Sequence, residues 1–230
     1  MTTIFPRITR RVAIALVATL IFGGWTVSAD GQARGHVTIR VNAIPERLLA
    51  DFVAEVQGKS LGPPMAGLSI THILLNRQDY PKQTVDELIN GLERLALNSS
   101  DERLSVGAAG AFATAGSRRN PRPVPGIAQR MLRMYQQSRH ELVRSVLLSS
   151  MGQSAEPQVV IQFIRSLAIR DPRAADFPGA ASRALATLIV MGEEGRAILQ
   201  DLHTKGLVRD PNARFELSEL AKRNYRFGSQ

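Results

Sequence analysis

The sequence predicts an all-α chain: an α-solenoid of about four antiparallel helix pairs, preceded by a short N-terminal segment with room for one or two strands. Three observations carry this prediction. A short run closed by Gly recurs as Ala113-Thr114-Ala115-Gly116, Ser149-Ser150-Met151-Gly152 and Ile189-Val190-Met191-Gly192, with the glycines 36 and then 40 residues apart. Each such stop is preceded by two stretches whose apolar residues follow helical spacing. Starts are marked as well, because Asp171-Pro172 and Asp210-Pro211 place an N-cap acid before a Pro whose missing N–H is not needed in a first turn. A two-helix unit of this length cannot bury both its apolar stripes alone, whereas stacked copies can.

Residues 1–29 read as an export signal. Arg7, Arg10 and Arg11 form a basic start, Val12 to Trp25 is apolar apart from Thr19 and two glycines, and Val27-Ser28-Ala29 offers the small residues a signal peptidase accepts. Cleavage is expected after Ala29. An uncleaved N-terminal membrane anchor is the alternative, disfavoured because the apolar run is shorter than the ~20 residues a spanning helix needs. The expected location is therefore periplasmic or extracellular.

Residues 30–80 are expected to form a separate strand/helix module or a cap on the repeats. His36 to Asn42 alternates, with Val37, Ile39 and Val41 on one side, as a half-buried strand does. Pro45 opens a helical pattern in Leu48, Leu49, Phe52, Val53 and Val56, which Gly58 closes. Leu68 to Leu75 is apolar throughout, and its periodicity fits a strand as well as a short helix. Gly58-Lys59-Ser60 has the tail of a phosphate-binding loop, but Val53 stands where the first glycine should be and a helix precedes it. That reading is rejected.

The repeats are placed at residues 81–226, with 227–230 as a tail. The expected pairs are Thr84–Leu97 with Asp101–Ala115, Gly126–Gln137 with His140–Met151, Gln158–Ile169 with Gly179–Met191, and Glu193–His203 with Asn212–Asn224. The closing glycines are expected to take a left-handed backbone. Leu142, Val143, Val146, Leu147 and Met151 are expected to form one apolar stripe, and Ile127, Met131, Met134 and Tyr135 to face the core.

At His140-Glu141-Leu142-Val143-Arg144, followed by Val146-Leu147-Leu148 and Ser150-Met151-Gly152, the chain resembles the second helix of a HEAT repeat. Val159, Phe163, Ile164 and Leu167 resemble the first helix of the following unit. The chain departs from the pattern at Gly107 and Ala108, which replace the apolar-Arg pair, and at an insertion over Arg173 to Phe177. The resemblance implies a scaffold that holds a protein partner along a curved face.

Composition narrows the chemistry. The 230 residues include no Cys and four His, which excludes disulfides, thiolate metal sites and a catalytic thiol. His36, His72, His140 and His203 include no pair at i, i+3 or i+4, so no zinc helix is present. No Gly-x-Ser-x-Gly elbow occurs. The carboxylate pairs Asp86/Glu87, Asp101/Glu102 and Glu193/Glu194 are explained by first helical turns, where they complement the helix dipole. No catalytic residue, metal ligand or cofactor is expected, and no small-molecule substrate emerges.

The 29 Lys+Arg against 20 Asp+Glu leave a net charge of +9, of which residues 1–29 carry three arginines. The remaining excess of six equals that of one segment. Arg118, Arg119, Arg122, Arg130, Arg133, Arg139 and Arg144 stand within residues 118–144, opposed only by Glu141. Guanidinium forks suit carboxylate and phosphate, so these seven are the candidate partner- or anion-binding residues. The chain is thus expected to be a non-enzymatic adaptor for a protein partner. The alternatives are contact with an anionic polymer or membrane surface through residues 118–144, and service as accessory subunit of an envelope enzyme. Nucleic acid is disfavoured by export and by the scarcity of aromatic residues.

Overall fold

The computed structural model describes residues 44–60 and 65–222, all within one compact unit. The expected signal segment, the strand at His36 to Asn42 and the 227–230 tail lie outside the described residues. Ten α-helices follow in order: α1 (Pro45–Val56), α2 (Ala66–Leu75), α3 (Lys82–Asn98), α4 (Glu102–Thr114), α5 (Ile127–Gln137), α6 (Glu141–Met151), α7 (Pro157–Ala168), α8 (Ala180–Val190), α9 (Glu193–Thr204) and α10 (Pro211–Lys222). Single 3₁₀ turns at Arg77–Asp79 and Pro172–Ala174 join α2 to α3 and α7 to α8. Among the described residues there is no strand, only an isolated antiparallel bridge between Ser117 and Ser154.

The helices pack in two layers. Each odd-numbered helix pairs with the even-numbered helix after it, and α1, α3, α5, α7 and α9 also touch in succession to form one layer. The even-numbered helices α2, α4, α6, α8 and α10 form the second layer in the same way. The four pairs expected over residues 81–226 are present, and α1 with α2 packs onto α3 and α4 as a fifth. Alternation of direction sends the connections within pairs to one edge, called the hairpin edge below. The connections between pairs run along the opposite edge, the linker edge.

The apolar stretch Leu68 to Leu75 is helical. Ala66, Ile70, Ile73 and Leu74 are buried at helical spacing while His72 is exposed, so the segment buries one face against its partners rather than alternating. Its N-terminus is capped from across the first hairpin, where the Glu55 carboxylate accepts the N–H groups of Met65, Ala66 and Gly67. Asp101 and Asp210 cap α4 and α10 by accepting the N–H groups of Leu104 and Ala213 at 3.3 and 2.9 Å, as their positions suggested.

Two expectations need correction. Of the three closing glycines only Gly192 has positive φ (80°). Gly116 and Gly152 serve close approach instead: an added Cβ would lie 2.5 Å from Ile127 Cβ at Gly116 and 3.0 Å from the Thr187 carbonyl at Gly152. The stripe of α6 is narrower than expected, since Val143, Leu147 and Met151 are buried but Leu142 is 52% exposed. The residues are right for one wide stripe, but neighbouring even-numbered helices approach so closely that α6 turns its Leu142 edge outward.

Candidate functional site

The seven arginines leave the chain in different directions. The segment 118–144 holds α5 and α6, each of 11 residues and thus about 16 Å long. Arg118, Arg119 and Arg122 therefore stand on the linker edge and Arg139 on the hairpin edge.

Arg118 is bound to the protein. Its guanidinium donates to the carbonyls of Val190 and Met191, the former a short contact, at the C-terminal end of α8. A cation there complements the negative end of the helix. Arg130 turns away from solvent onto α3, where it forms an ion pair with Glu93, donates to Asn90 Oδ1 at 2.8 Å and lies over the Phe112 ring at 5.2 Å. Three residues before Arg133 and opposite the core-facing Ile127 and Met131, it is expected from its spacing to project outward with Arg133, and it does not. Arg144 points inward from α6, with its Nε buried and without a hydrogen-bond partner.

Near Arg144 lies a buried polar cluster that the sequence did not announce. Tyr135, on α5, is 2% exposed and packs edge-on against Phe163 at 5.0 Å. Its hydroxyl makes no well-formed hydrogen bond. Burial, and secondarily the Asp176 carboxylate, pushes its ionisation well above the usual phenol range, against the weaker pull of Arg144 and Arg170. Asp176 comes from the insertion between α7 and α8 and forms an ion pair with Arg170, while its neighbour Phe177 is buried. The residues that interrupt the repeat pattern thus anchor the connection onto the preceding pair.

Arg119, Arg122, Arg133 and Arg139 remain exposed, and their side chains have no partner among the described residues. Two lie on the linker edge, one on the outer face of α5 and one on the hairpin edge. No common cavity collects them. A crevice of about 150 Å³ beneath the insertion is lined by Leu167, Arg170, Pro172, Pro178, Gly179 and Asp210, among others. A shallower groove of about 330 Å³ between α1 and α3 is lined by Pro45, Glu46, Leu49, Glu87, Asn90 and Arg94.

The histidines are separated. His72 meets Tyr80 edge-on at 6.3 Å. His140 starts α6, with Nε2 3.2 Å from the Ser99 carbonyl and Nδ1 3.9 Å from Glu102, so it ties two hairpin turns together. His203 is exposed on α9. Among the described residues no three His, Asp or Glu side chains group to hold a metal ion, and no helix is long and apolar enough to cross a membrane.

The two layers present different surfaces. The odd-numbered layer shows Gln, Arg and Glu, as at Gln83, Glu87, Arg94, Gln129, Arg133, Gln136, Gln158 and Gln162. The even-numbered layer exposes charges as well, at Glu102, Arg103, Glu141, Arg183, Arg214 and Glu216, and with them Leu142, Val190 and Phe215, three of the five large apolar residues exposed among the described residues. On α6 and α8 the positions Leu142, Ser145 and Ser149, and Arg183, Ala186 and Val190, each follow one helix face. The Ser149 hydroxyl donates to its own helix at Ser145 O and that of Thr114 to Ala111 O, so both are partly spent internally.

Sequence reasoning also missed Asn120. It reads as an ordinary loop residue in Arg119-Asn120-Pro121, yet it is 2% exposed. Its Nδ2 contacts Leu74 O at 3.1 Å and Ala115 O at 3.2 Å, and its Oδ1 accepts the Arg122 N–H. It therefore joins the ends of α2 and α4. Its only sequence signal was the position after a helix stop, which a solvated turn shares.

Compared with protein-family models, with curated proteins and with solved structures, the chain matches none.

Proposed function

We propose that this chain is an exported, non-enzymatic HEAT-like scaffold that holds a protein partner along its even-numbered layer. The observation that carries this reading is the contrast between the two layers. Both carry charged side chains, but the even-numbered layer also exposes Leu142, Val190 and Phe215 between charges such as Arg183, Arg214 and Glu216. A surface of this kind offers shape and apolar area to another protein and little directional chemistry to a small substrate. The scattered histidines and the engagement of Arg118, Arg130 and Asp201 in contacts within the fold fit a structural use of its polar groups. The N-terminal pattern of residues 1–29 is the basis for export.

The test combines fractionation with site-specific crosslinking in the cells that make the protein. A photoreactive residue at Leu142 or Ala186 is expected to trap one defined partner in the envelope or secreted fraction. The same residue at Gln136, on the opposite layer, is expected to trap none. Retention of the chain in the cytoplasm would refute export, and equal or absent crosslinking at both layers would refute the scaffold reading.

A further inference from the structure

We propose that the linker edge formed by residues 76–82 and 115–126 is a docking surface for an anionic phospholipid membrane. This inference concerns an edge and not a layer, and the two surfaces meet at Val190 on the end of α8. The two connections form one rim: the Arg77 guanidinium donates to Pro123 O at 3.3 Å, and Asn120 reaches back to Leu74 O at 3.1 Å. Together they bring Arg77, Lys82, Arg118, Arg119 and Arg122 to one edge, with Asp79 as the sole acid of both segments. The sequence run 118–144 supplies only three of these five cations; Arg77 and Lys82 arrive from the preceding pair.

The charge is not neutralised within the fold. Arg77 and Arg118 donate to carbonyls, which carry no net charge, and the side chains of Arg119, Arg122 and Lys82 are exposed without partners among the described residues. Glu156, the one acid of the next connection, sets its carboxylate on the N–H groups of Gly126 and Ala128 at 3.0 to 3.3 Å and so places one negative charge at the end of this edge, beside the five cations. Glu193 and Glu194, at the start of α9, limit the positive surface to the earlier pairs.

A membrane fits this edge better than a polyanionic chain does. Four of the cations stand on the connections and Lys82 on the first turn of α3, away from the two concavities described above. Exposed Pro81, Pro121 and Pro125 stand among the cations, and Val190, 40% exposed, sits where Arg118 binds the end of α8. Cations beside exposed apolar side chains on one edge match the boundary between phosphate headgroups and acyl chains.

The absence of cysteine permits a clean test. A Pro121→Cys variant of the full chain, labelled with an environment-sensitive fluorophore, reports this edge alone, and Gln136→Cys reports the outer layer. Vesicles of phosphatidylcholine with 30% phosphatidylglycerol are expected to shift the emission of the label at 121 but not at 136. Pure phosphatidylcholine is expected to shift neither. Each surface cation contributes about fivefold to partitioning, so Arg119→Ser with Arg122→Ser is expected to move the titration midpoint roughly 25-fold. Arg133→Ser with Arg139→Ser, which removes the same charge elsewhere, should move it less than twofold. The proposal is overturned if the label at 121 ignores anionic vesicles, or if the two double variants weaken binding equally. It is equally overturned if soluble heparin binds this edge more tightly than the vesicles do, which would assign the rim to a polymer.

Discussion

Replacing Asn120 tests how the pairs are joined. The side chain is buried and its amide faces Leu74 O and Ala115 O, two terminal carbonyls of α2 and α4, at 3.1 and 3.2 Å. Both belong to the orphan set that every helix end leaves without an intrahelical partner. In Asn120→Ala the Ala115 carbonyl keeps the Val124 N–H at 2.8 Å, whereas Leu74 O is left a buried acceptor without a donor, at a cost of about 1–3 kcal/mol. One stranded acceptor therefore sets the expected loss at about 1–3 kcal/mol. For a solenoid of this size that corresponds to a fall in melting temperature of roughly 2–10 °C. Asn120→Asp keeps the acceptor for the Arg122 N–H but turns a carboxylate oxygen toward the two carbonyls. It should be at least as destabilising at neutral pH and recover as the carboxyl protonates. Urea denaturation of the three proteins at pH 7 and pH 4 reads both effects. An alanine variant within about 0.5 kcal/mol of the parent would refute the reasoning, because that is the range of an unremarkable surface change.

Three further outcomes are expected. Gly195→Ala should unfold the C-terminal pairs or lower the urea midpoint sharply, since the added Cβ would lie 1.8 Å from the Leu188 carbonyl, part of the α8 backbone, which cannot rotate away; near-parental stability would show that α9 can shift. Arg130→Met and Glu93→Gln should each cost about 1–3 kcal/mol because each strands a half-buried partner, and their double variant should cost less than the sum in a denaturation cycle. The Asp201 carboxyl is held below its ordinary range by hydrogen bonds from Lys205 and Arg165. Its contribution to stability is therefore present above the unfolded-state value near 3.9 and is lost as pH falls through the lower folded value. NMR titration should find its midpoint depressed in the parent and raised toward the ordinary value in Lys205→Gln.

The helices were legible because local rules agree with the fold along most of the chain. Ile127, Met131, Met134 and Tyr135 follow one helix face, and that face is buried. Asp101 and Asp210 announce the starts of α4 and α10, and each carboxylate caps where its position implied. What was not legible depends on residues distant in sequence. Gly116 and Gly152 look alike as helix stops, yet the first makes room for Ile127 and the second for Thr187. Arg130 has the spacing of a solvated residue and turns inward only because Glu93 and Phe112 stand on earlier helices. Leu142 has the spacing of a core residue and lies at the surface because α4 and α8 already flank α6. The insertion at Arg173 to Phe177 was visible as a break in the pattern, but nothing local says that Asp176 reaches Arg170 and approaches Tyr135.

The even-numbered helices point the same way, so the C-terminal ends of α2, α4, α6 and α8 fall on one edge and set a row of unpaired carbonyls side by side. The connection after α4 answers much of that demand. Asn120 serves the ends of α2 and α4, the Val124 N–H also meets Ala115 O, and the Arg118 guanidinium reaches the end of α8, while backbone bonds from Arg118 to Gln153 O and from Ala155 to Gly116 O tie this connection to the one after α6. Adjacent arginines of one loop therefore have different physical duties. Arg118→Ser should cost about 1–2 kcal/mol through the lost helix-end contacts, and Arg118→Lys should recover part of it by keeping the charge without the fork. Arg119→Ser, which removes the same charge one residue later, should leave the urea midpoint within about 0.5 kcal/mol of the parent. If the two serine variants proved equally stable, the row of helix ends would have another source of donors and the bracing role of this loop would be wrong.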